Sequence, residues 1–559
     1  MAWMAAAGGM ALAICAQVIL SRQVWLGLAV YALALVLWLW AICKNGRLLG
    51  KLRPLPALPH EVQFNKPANK PTPWRLLLLG IGAVATVVNA MCSLDDVFET
   101  RAVVAWVVSV GTFVAAFWER QPTNQLTNKQ TNKQTNERVC IGRDGYHLSW
   151  FAVAFLGVLL VGAGFRLYHL RQNPPEMGWD HQCNLEDVWD VVGRGLRPSF
   201  FYRNNGREPG YFYWTAALVW LTGLPVGFYA LKLGMAVAGL LTLPGVYLMA
   251  RELYGRWVGL WAIFFAAVAS WPVILNRLGL RCPLAPLASA WAFYFMLRGL
   301  RTGQRNDFLL LGLTLGAGFY GYTAFGVVPL AVVLCWGVVW LRTRRSDLGR
   351  RLRWGNIALT VLSALLVFLP LGLFMLVRPF AFWKRSLWYL AYNEIPGHPL
   401  LILLHNLKNL ALMFHWRGDS VALSTLKYEP VLDPILGGMM ILGLVVALAR
   451  MVSRCDHLTL GLLVAGAVAL LPSALSLSFP EENPSVMRTS SAIPVVFALT
   501  ALPIGAWTEG VARAWRRRWQ WALVWAVAVV LAVGLVWVNG HRVFVSYVEG
   551  YLEALGGAG

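Results

Sequence analysis

Charge is scarce in this chain: only 13% of its 559 residues are Asp, Glu, Lys or Arg, roughly half the usual share in a soluble domain. With 58% hydrophobic residues, that shortage excludes an ordinary water-soluble protein and leaves no room for a large soluble domain. Acids are the scarcer sign, 26 against 48 basic residues, for a formal charge of +22. In a soluble chain such an excess points to nucleic acid. Here the basic residues sit in short loops between apolar runs, as cytoplasmic loops do, so a bilayer is expected and nucleic acid is not. The eight cysteines form no CxxC pair and no Cys/His cluster at zinc spacing, so they outline no metal framework. A basic stretch ahead of the first apolar run is also missing, so that run is taken as a retained span.

What is present is a series of apolar runs long enough to cross a bilayer. They fall near 3–20, 24–43, 75–93, 102–118, 148–165, 226–250, 257–275 and 283–297, then 308–325, 327–341, 357–377, 433–449, 458–475, 493–508 and 521–539. The expectation is an all-α polytopic membrane protein with about fifteen transmembrane helices. Two further apolar stretches, 209–222 and 398–416, are taken as interfacial helices in external loops. The first is short for a span, and the second carries His405, Asn406, Lys408 and Asn409 in its middle.

With both interfacial, five basic groups fall on one side: Arg251 and Arg256; Arg298, Arg301 and Arg305; Arg342, Arg344, Arg345, Arg350, Arg351 and Arg353; Arg450 and Arg454; Arg513, Arg516, Arg517 and Arg518. The positive-inside rule makes that side cytoplasmic. The basic 44–74 segment and the N-terminus are then inside as well, and segments 166–225, 378–432 and 476–492 are external. The chain divides into four N-terminal helices without an assigned role (1–118), a cytoplasmic linker (119–147), a membrane domain with the external loops (148–510) and a tail (511–559) that holds a basic loop and the last span. The linker contains the Thr/Asn repeat TNQLTNKQTNKQTN from Thr123 to Asn136, which cannot bury a core. No charged residue lies near the middle of a proposed span.

The first external segment has a short amphipathic pattern, with Leu185, Val188, Trp189 and Val192 on one face and Glu186, Asp187 and Asp190 on the other. The plainer reading of those three acids is as solvated charges at headgroup level, and it is the one preferred. Asp180, beside Trp179 and ahead of the helix, is a candidate functional carboxylate. An acid where a helix leaves the bilayer can act as a base on a hydroxyl, and arginines fork onto phosphate.

From Trp179 onward the motifs resemble those of GT-C-type membrane glycosyltransferases, the family 39 and RgtA/B/C/D-like group that uses polyprenyl-phosphate sugars. They read Trp179-Asp180-His181, Asn205-Gly206-Arg207-Glu208-Pro209, Ala250-Arg251-Glu252-Leu253-Tyr254-Gly255-Arg256 and Asn276-Arg277-Leu278-Gly279-Leu280-Arg281. Later come Arg417-Gly418-Asp419, Leu432-Asp433-Pro434, and Glu482-Asn483-Pro484 with Arg488. Each motif is short; their order and sidedness carry the resemblance, which covers about 148–510. Where the group commonly has Asp-Glu, this chain has Asp180-His181. A mechanism that needs both carboxylates, such as a tightly held divalent metal, therefore lacks one of them.

The resemblance implies a GT-C-like fold. It also implies transfer of a monosaccharide from a polyprenyl-phosphate carrier to an acceptor, be it protein, lipid or polysaccharide, on the external face of a bacterial plasma membrane. A lipid phosphate leaves without a general acid, so one base and several cations suffice. Asp180 is the expected base and Glu208 a second catalytic acid. Arg277 and Arg281 lead the phosphate candidates, followed by Arg207, Arg203 and Arg488. His181, Tyr320, Tyr322, Arg417 and Asp419 are assigned to the acceptor or sugar pocket. For each arginine the alternative is headgroup snorkelling, and for the tyrosines an interfacial belt. No cofactor is required, a divalent metal stays open, and so does a disulfide between Cys183 and Cys282. The reading from another class is a lipid-linked-sugar flippase, which would place charges or broken helices near the bilayer midplane. A non-catalytic scaffold is the third.

Overall fold

The protein is described here from a computed structural model, which defines residues 2–44, 72–94, 97–119, 138–141, 146–343, 354–392, 395–454, 456–514 and 518–556. The Thr/Asn repeat, most of the basic 44–74 segment, and Arg344, Arg345, Arg350, Arg351, Arg353, Arg516 and Arg517 lie outside the described residues.

All fifteen apolar runs lie on helices. In lipid the backbone must satisfy its own N–H and C=O groups, and a helix does so within one segment. The first four are α1 (Ala2–Leu20), α2 (Val24–Lys44), α3 (Pro73–Cys92) and α4 (Thr100–Phe117). A two-stranded antiparallel hairpin follows, β1 (Arg138–Ile141) against β2 (Tyr146–Ser149). It falls partly in the expected linker, where Val139 and Ile141 alternate with polar neighbours as a strand requires.

Then come α5 (Trp150–Leu167), two short helices α6 (Trp179–Val192) and α7 (Gly210–Thr222), α8 (Phe228–Tyr254), α9 (Arg256–Val268), α10 (Ser270–Arg277), α11 (Leu284–Thr302), α12 (Arg305–Gly318) and α13 (Val328–Thr343). The chain continues through α14 (Trp354–Val377), α15 (Pro379–Leu387), α16 (Pro399–Leu412), α17 (Pro434–Arg454), α18 (His457–Ala474), α19 (Ile493–Ala514), α20 (Arg518–His541) and α21 (Tyr547–Gly556). Among the described residues, eleven helices are long and apolar enough to cross a membrane, or twelve with the bent pair α9–α10 counted as one span. The chain is an integral membrane protein. At 13 and 14 residues, α7 and α16 are too short to span alone, and so are α9 and α12, so the expected fifteen spans exceed the eleven or twelve that length and composition support.

The bend between α9 and α10 is 51°. It sits at Ala269, whose extended backbone (φ −57°, ψ 137°) interrupts the helix just ahead of Pro272, which has no N–H to give. Asn539 of α20 caps the restart, its Oδ1 accepting the Ser270 N–H at 2.8 Å. The core forms around α8, which packs on α9 and α11; α9 packs on α19, α19 on α17, α12 on α14, and α13 on α18.

Both N-terminal hairpins are built into this bundle. α1 lies on α17, where a Cβ at Gly438 would come within 2.8 Å of the Ala13 backbone, so only glycine permits the approach. Gln17 of α1 accepts from the Tyr31 hydroxyl and donates to the His415 carbonyl at 2.6 Å. α4 lies on α14, with Trp106 Nε1 donating to the Leu366 carbonyl at 3.1 Å.

Candidate active site

The segment after α6 is held by its own charges. Arg207 is buried and donates to Asp187, Asn184 and the Cys183 carbonyl. Arg203 reaches Glu186, Asp187 and Asp190 together. Burial raises the Asp187 carboxyl, while Arg207 and Arg203 pull it back. The acids read as plain headgroup charges are thus partners of the two arginines, and Arg203 and Arg207 are occupied as ties between α6 and the next loop.

That loop ends in a turn, Asn204-Asn205-Gly206, with φ of +52°, +63° and +91°. Three successive left-handed residues are costly for most side chains, and Asn and Gly bear them best. The turn points Asn204 two ways. Its Nδ2 donates to Asp180 Oδ1, and its carbonyl accepts from Arg385 Nη1 at 2.8 Å. Asp180 is exposed at the start of α6. Four residues after Asn204, Glu208 is buried; it accepts from Arg281 Nη1 and from Thr323 Oγ1 at 2.5 Å.

Arg281 is the centre of a cationic cluster. Its guanidinium lies 5.5 Å from the Tyr322 ring, and its Nη2 is buried without a hydrogen-bond partner. Burial lowers its pKa to about 10 against the pull of Glu208, so it stays charged at neutral pH. Arg488 and Arg385 lie 4.1 Å and 5.9 Å from the Tyr389 ring. Arg281 thus lies against Tyr322 while Arg385 and Arg488 share Tyr389, and the Arg385 charge helps lower the Arg281 pKa. Arg281 is paired with Glu208 and Arg488 with Glu482, while Arg385 has no carboxylate partner among the described residues.

The remaining sequence-derived candidates lie elsewhere or are spent on structure. Arg277 is buried in a nest of carbonyls, donating to Phe165, Arg166 and Asn173 at 3.0–3.2 Å. His181 is a strut: its Nδ1 accepts from the Gly178 N–H at 3.0 Å, so Nε2 carries the proton and donates to the Leu278 carbonyl at 2.7 Å. Burial lowers its pKa, which keeps it neutral. The Tyr320 hydroxyl donates to the Val367 carbonyl at 2.9 Å instead of facing a pocket. Asp419 is buried, accepting from the N–H groups of Val421 and Val486, and so ties two loops together. Arg417 is exposed and stacks on Tyr428 at 4.3 Å. Cys183 and Cys282 are both free thiols, so the open disulfide is not formed. No three His, Cys, Asp or Glu side chains among the described residues gather as a metal site would need, and no metal step is derived.

Asn204, Arg385 and Tyr389 were not picked out from the sequence. The Asn-Asn-Gly turn signal and the basic last turn of the amphipathic α15 were available there.

Residues 207–374, which carry Glu208, Arg281 and Tyr322, match the sequence profile of the family described as dolichyl-phosphate-mannose-protein mannosyltransferase. The match covers less than a third of the chain. No curated protein sequence matches the chain. Among solved structures it is similar to the archaeal oligosaccharyltransferase AglB from Archaeoglobus fulgidus, solved with an inhibitory peptide and a dolichol-phosphate. The identity is 13%, over 72% of this chain and 56% of that one, with a TM-score of 0.46. It is also similar to ArnT from Cupriavidus metallidurans bound to undecaprenyl phosphate, at 16% identity over 72% of this chain and 73% of that one, with a TM-score of 0.45. The chain thus spans little more than half the length of the archaeal protein.

Proposed function

We propose that the chain transfers a monosaccharide from a polyprenyl-phosphate carrier to an acceptor hydroxyl at the external face of a bacterial plasma membrane, with Asp180 as the base. The observation that carries this reading is Asn204, which joins the exposed Asp180 carboxylate to Arg385 of the cationic cluster. A proton acceptor and one cation of the cluster are thus joined through a single residue of one turn.

In the reaction the acceptor oxygen attacks the anomeric carbon and gives its proton to Asp180. The bond from that carbon to the phosphate oxygen breaks, and the lipid phosphate leaves with the electron pair and one more negative charge. Arg281, Arg385 and Arg488 stabilise that added charge in a partly dry setting, where fixed cations act strongly. Glu208 holds Arg281 in place and, with Thr323, sets the orientation of the cluster. The external placement is supported by chain alternation: the segments that carry Asp180, Arg281, Arg385 and Arg488 all fall opposite the basic loops.

The test is sugar transfer from a panel of radiolabelled polyprenyl-phosphate sugars in membranes holding the wild type or Asp180→Asn at equal expression. Transfer in the wild type, lost in the variant, is expected. Transfer that survives the substitution removes Asp180 from the role. Lipid or sugar movement without transfer replaces this reading with a flippase.

A further inference from the structure

The N-terminal hairpin α3–α4 has no part in the chemistry above, yet its connecting segment reaches the loop that carries Asn204 and Glu208. The Phe98 N–H donates to the Arg197 carbonyl, and Val97 pairs with Pro198 in an antiparallel bridge. Arg197 Nη1 in turn donates to Thr100 Oγ1 at 2.7 Å. The Phe98 ring lies 5.8 Å from that of Tyr213, whose hydroxyl donates back to the Pro198 carbonyl at 3.0 Å. This fixes the near end of the loop.

The far end is fixed through α4. Trp106, anchored on the Leu366 carbonyl, places its ring 5.9 Å from Tyr320. The Tyr320 carbonyl accepts the Gly210 N–H at 2.8 Å. A Cβ at Gly210 would come within 2.5 Å of that carbonyl oxygen, so the contact has no slack. Gly210 follows Glu208 by two residues, and Glu208 holds Arg281.

We infer that the α3–α4 hairpin is a positioning clamp: it grips residues 199–209 at both ends and so sets the distance between Asp180, through Asn204, and the Arg281–Glu208 pair. Phe98 and Trp106 are its positioning residues and touch no reacting atom. The segment between the grips carries three left-handed residues, a conformation that persists only where its surroundings enforce it. The clamp rests on the glycosyltransferase reading for its consequence, and on the contacts alone for its existence.

Two readouts on the full-length protein in lipid nanodiscs separate those claims. Hydrogen exchange should rise at least tenfold in 199–209 for Phe98→Ala and Trp106→Ala, with α8, α9 and α19 unchanged. The kcat for transfer should fall about tenfold or more, with the KM for donor within about twofold, because a misplaced base slows chemistry more than binding. Phe98→Tyr and Trp106→Phe, which keep the ring contacts, should recover most of both. Unchanged exchange in 199–209 overturns the clamp, and so does wild-type kcat alongside faster exchange. A wild type that transfers no sugar while exchange still rises in the variants supports the clamp and rejects the function reading instead.

Discussion

Two groups of arginines occupy neighbouring loops of this molecule and are satisfied in different ways. In the segment after α6, Arg203 and Arg207 share Glu186, Asp187 and Asp190, and each of these two guanidinium groups has a carboxylate. Arg281, Arg385 and Arg488 hold only Glu208 and Glu482 between them among the described residues, so that Arg385 has no carboxylate; one buried N–H stays unpaired in each group, on Arg207 and on Arg281. Burying cations is expensive without compensation. The first group has been compensated within the protein; the second is compensated in part, as suits a site that receives an anion and releases it. Local pairing, more than exposure or charge count, separates structural arginines from the candidate phosphate cluster.

Substitutions can break that contrast. Arg207→Gln should have the largest effect: it leaves Asp187 buried with only Arg203 beside it, and the loss of about 3–5 kcal/mol should appear as a lowered denaturation temperature. Transfer per folded molecule should fall less than in Arg385→Gln, since Arg207 acts only by tying α6 to the loop that carries Asn204 and Glu208. Arg385→Gln should do the reverse, with transfer reduced about 10²–10³-fold and a denaturation temperature close to wild type, since no carboxylate is left behind.

Asp419 sharpens the comparison as a buried acid with no arginine in hydrogen-bond contact. Burial pushes its pKa up to about 6, against the pull of two backbone N–H groups, while in the unfolded chain it is about 3.9. The folded protein therefore holds a proton that the unfolded chain has already lost, and that contribution is complete below pH 4 and disappears as pH rises through 6. Stability should fall by about 2–3 kcal/mol across that window on account of this group. Thermal denaturation of Asp419→Asn against wild type, from pH 4 to 7, should show the flatter profile in the variant. The smallest effect is expected for Glu482→Gln. Its carboxylate side chain is 43% exposed, so the pair with Arg488 should be worth under about 1 kcal/mol.

The helices were legible because lipid imposes a length and an apolar composition that the runs display directly. Asp180, Glu208, Arg281 and Arg488 could be singled out as polar residues in connections between apolar runs; of these the structure pairs Glu208 with Arg281 and links Asp180 through Asn204 to Arg385. Arg277, His181, Tyr320 and Asp419 looked equivalent to them in the sequence, yet each is consumed by backbone groups from distant segments: Phe165 and Asn173, Leu278, Val367, Val486. Nothing local announces such a partner. Asn204 and Arg385 are the converse case: their value lies in bonds that span 24 and 181 residues of sequence. The hairpin α3–α4 had no assigned role because its polar links to Arg197 and Leu366 are long-range as well.

The most direct test of the account is polyprenyl-phosphate binding to the wild type, Arg385→Gln and Arg203→Gln, followed by native mass spectrometry of protein released from nanodiscs. The account predicts that Arg385→Gln loses the bound lipid phosphate and that Arg203→Gln keeps it. Retention by Arg385→Gln, or loss by Arg203→Gln alone, would contradict the assignment of the Arg281, Arg385 and Arg488 cluster as the phosphate site.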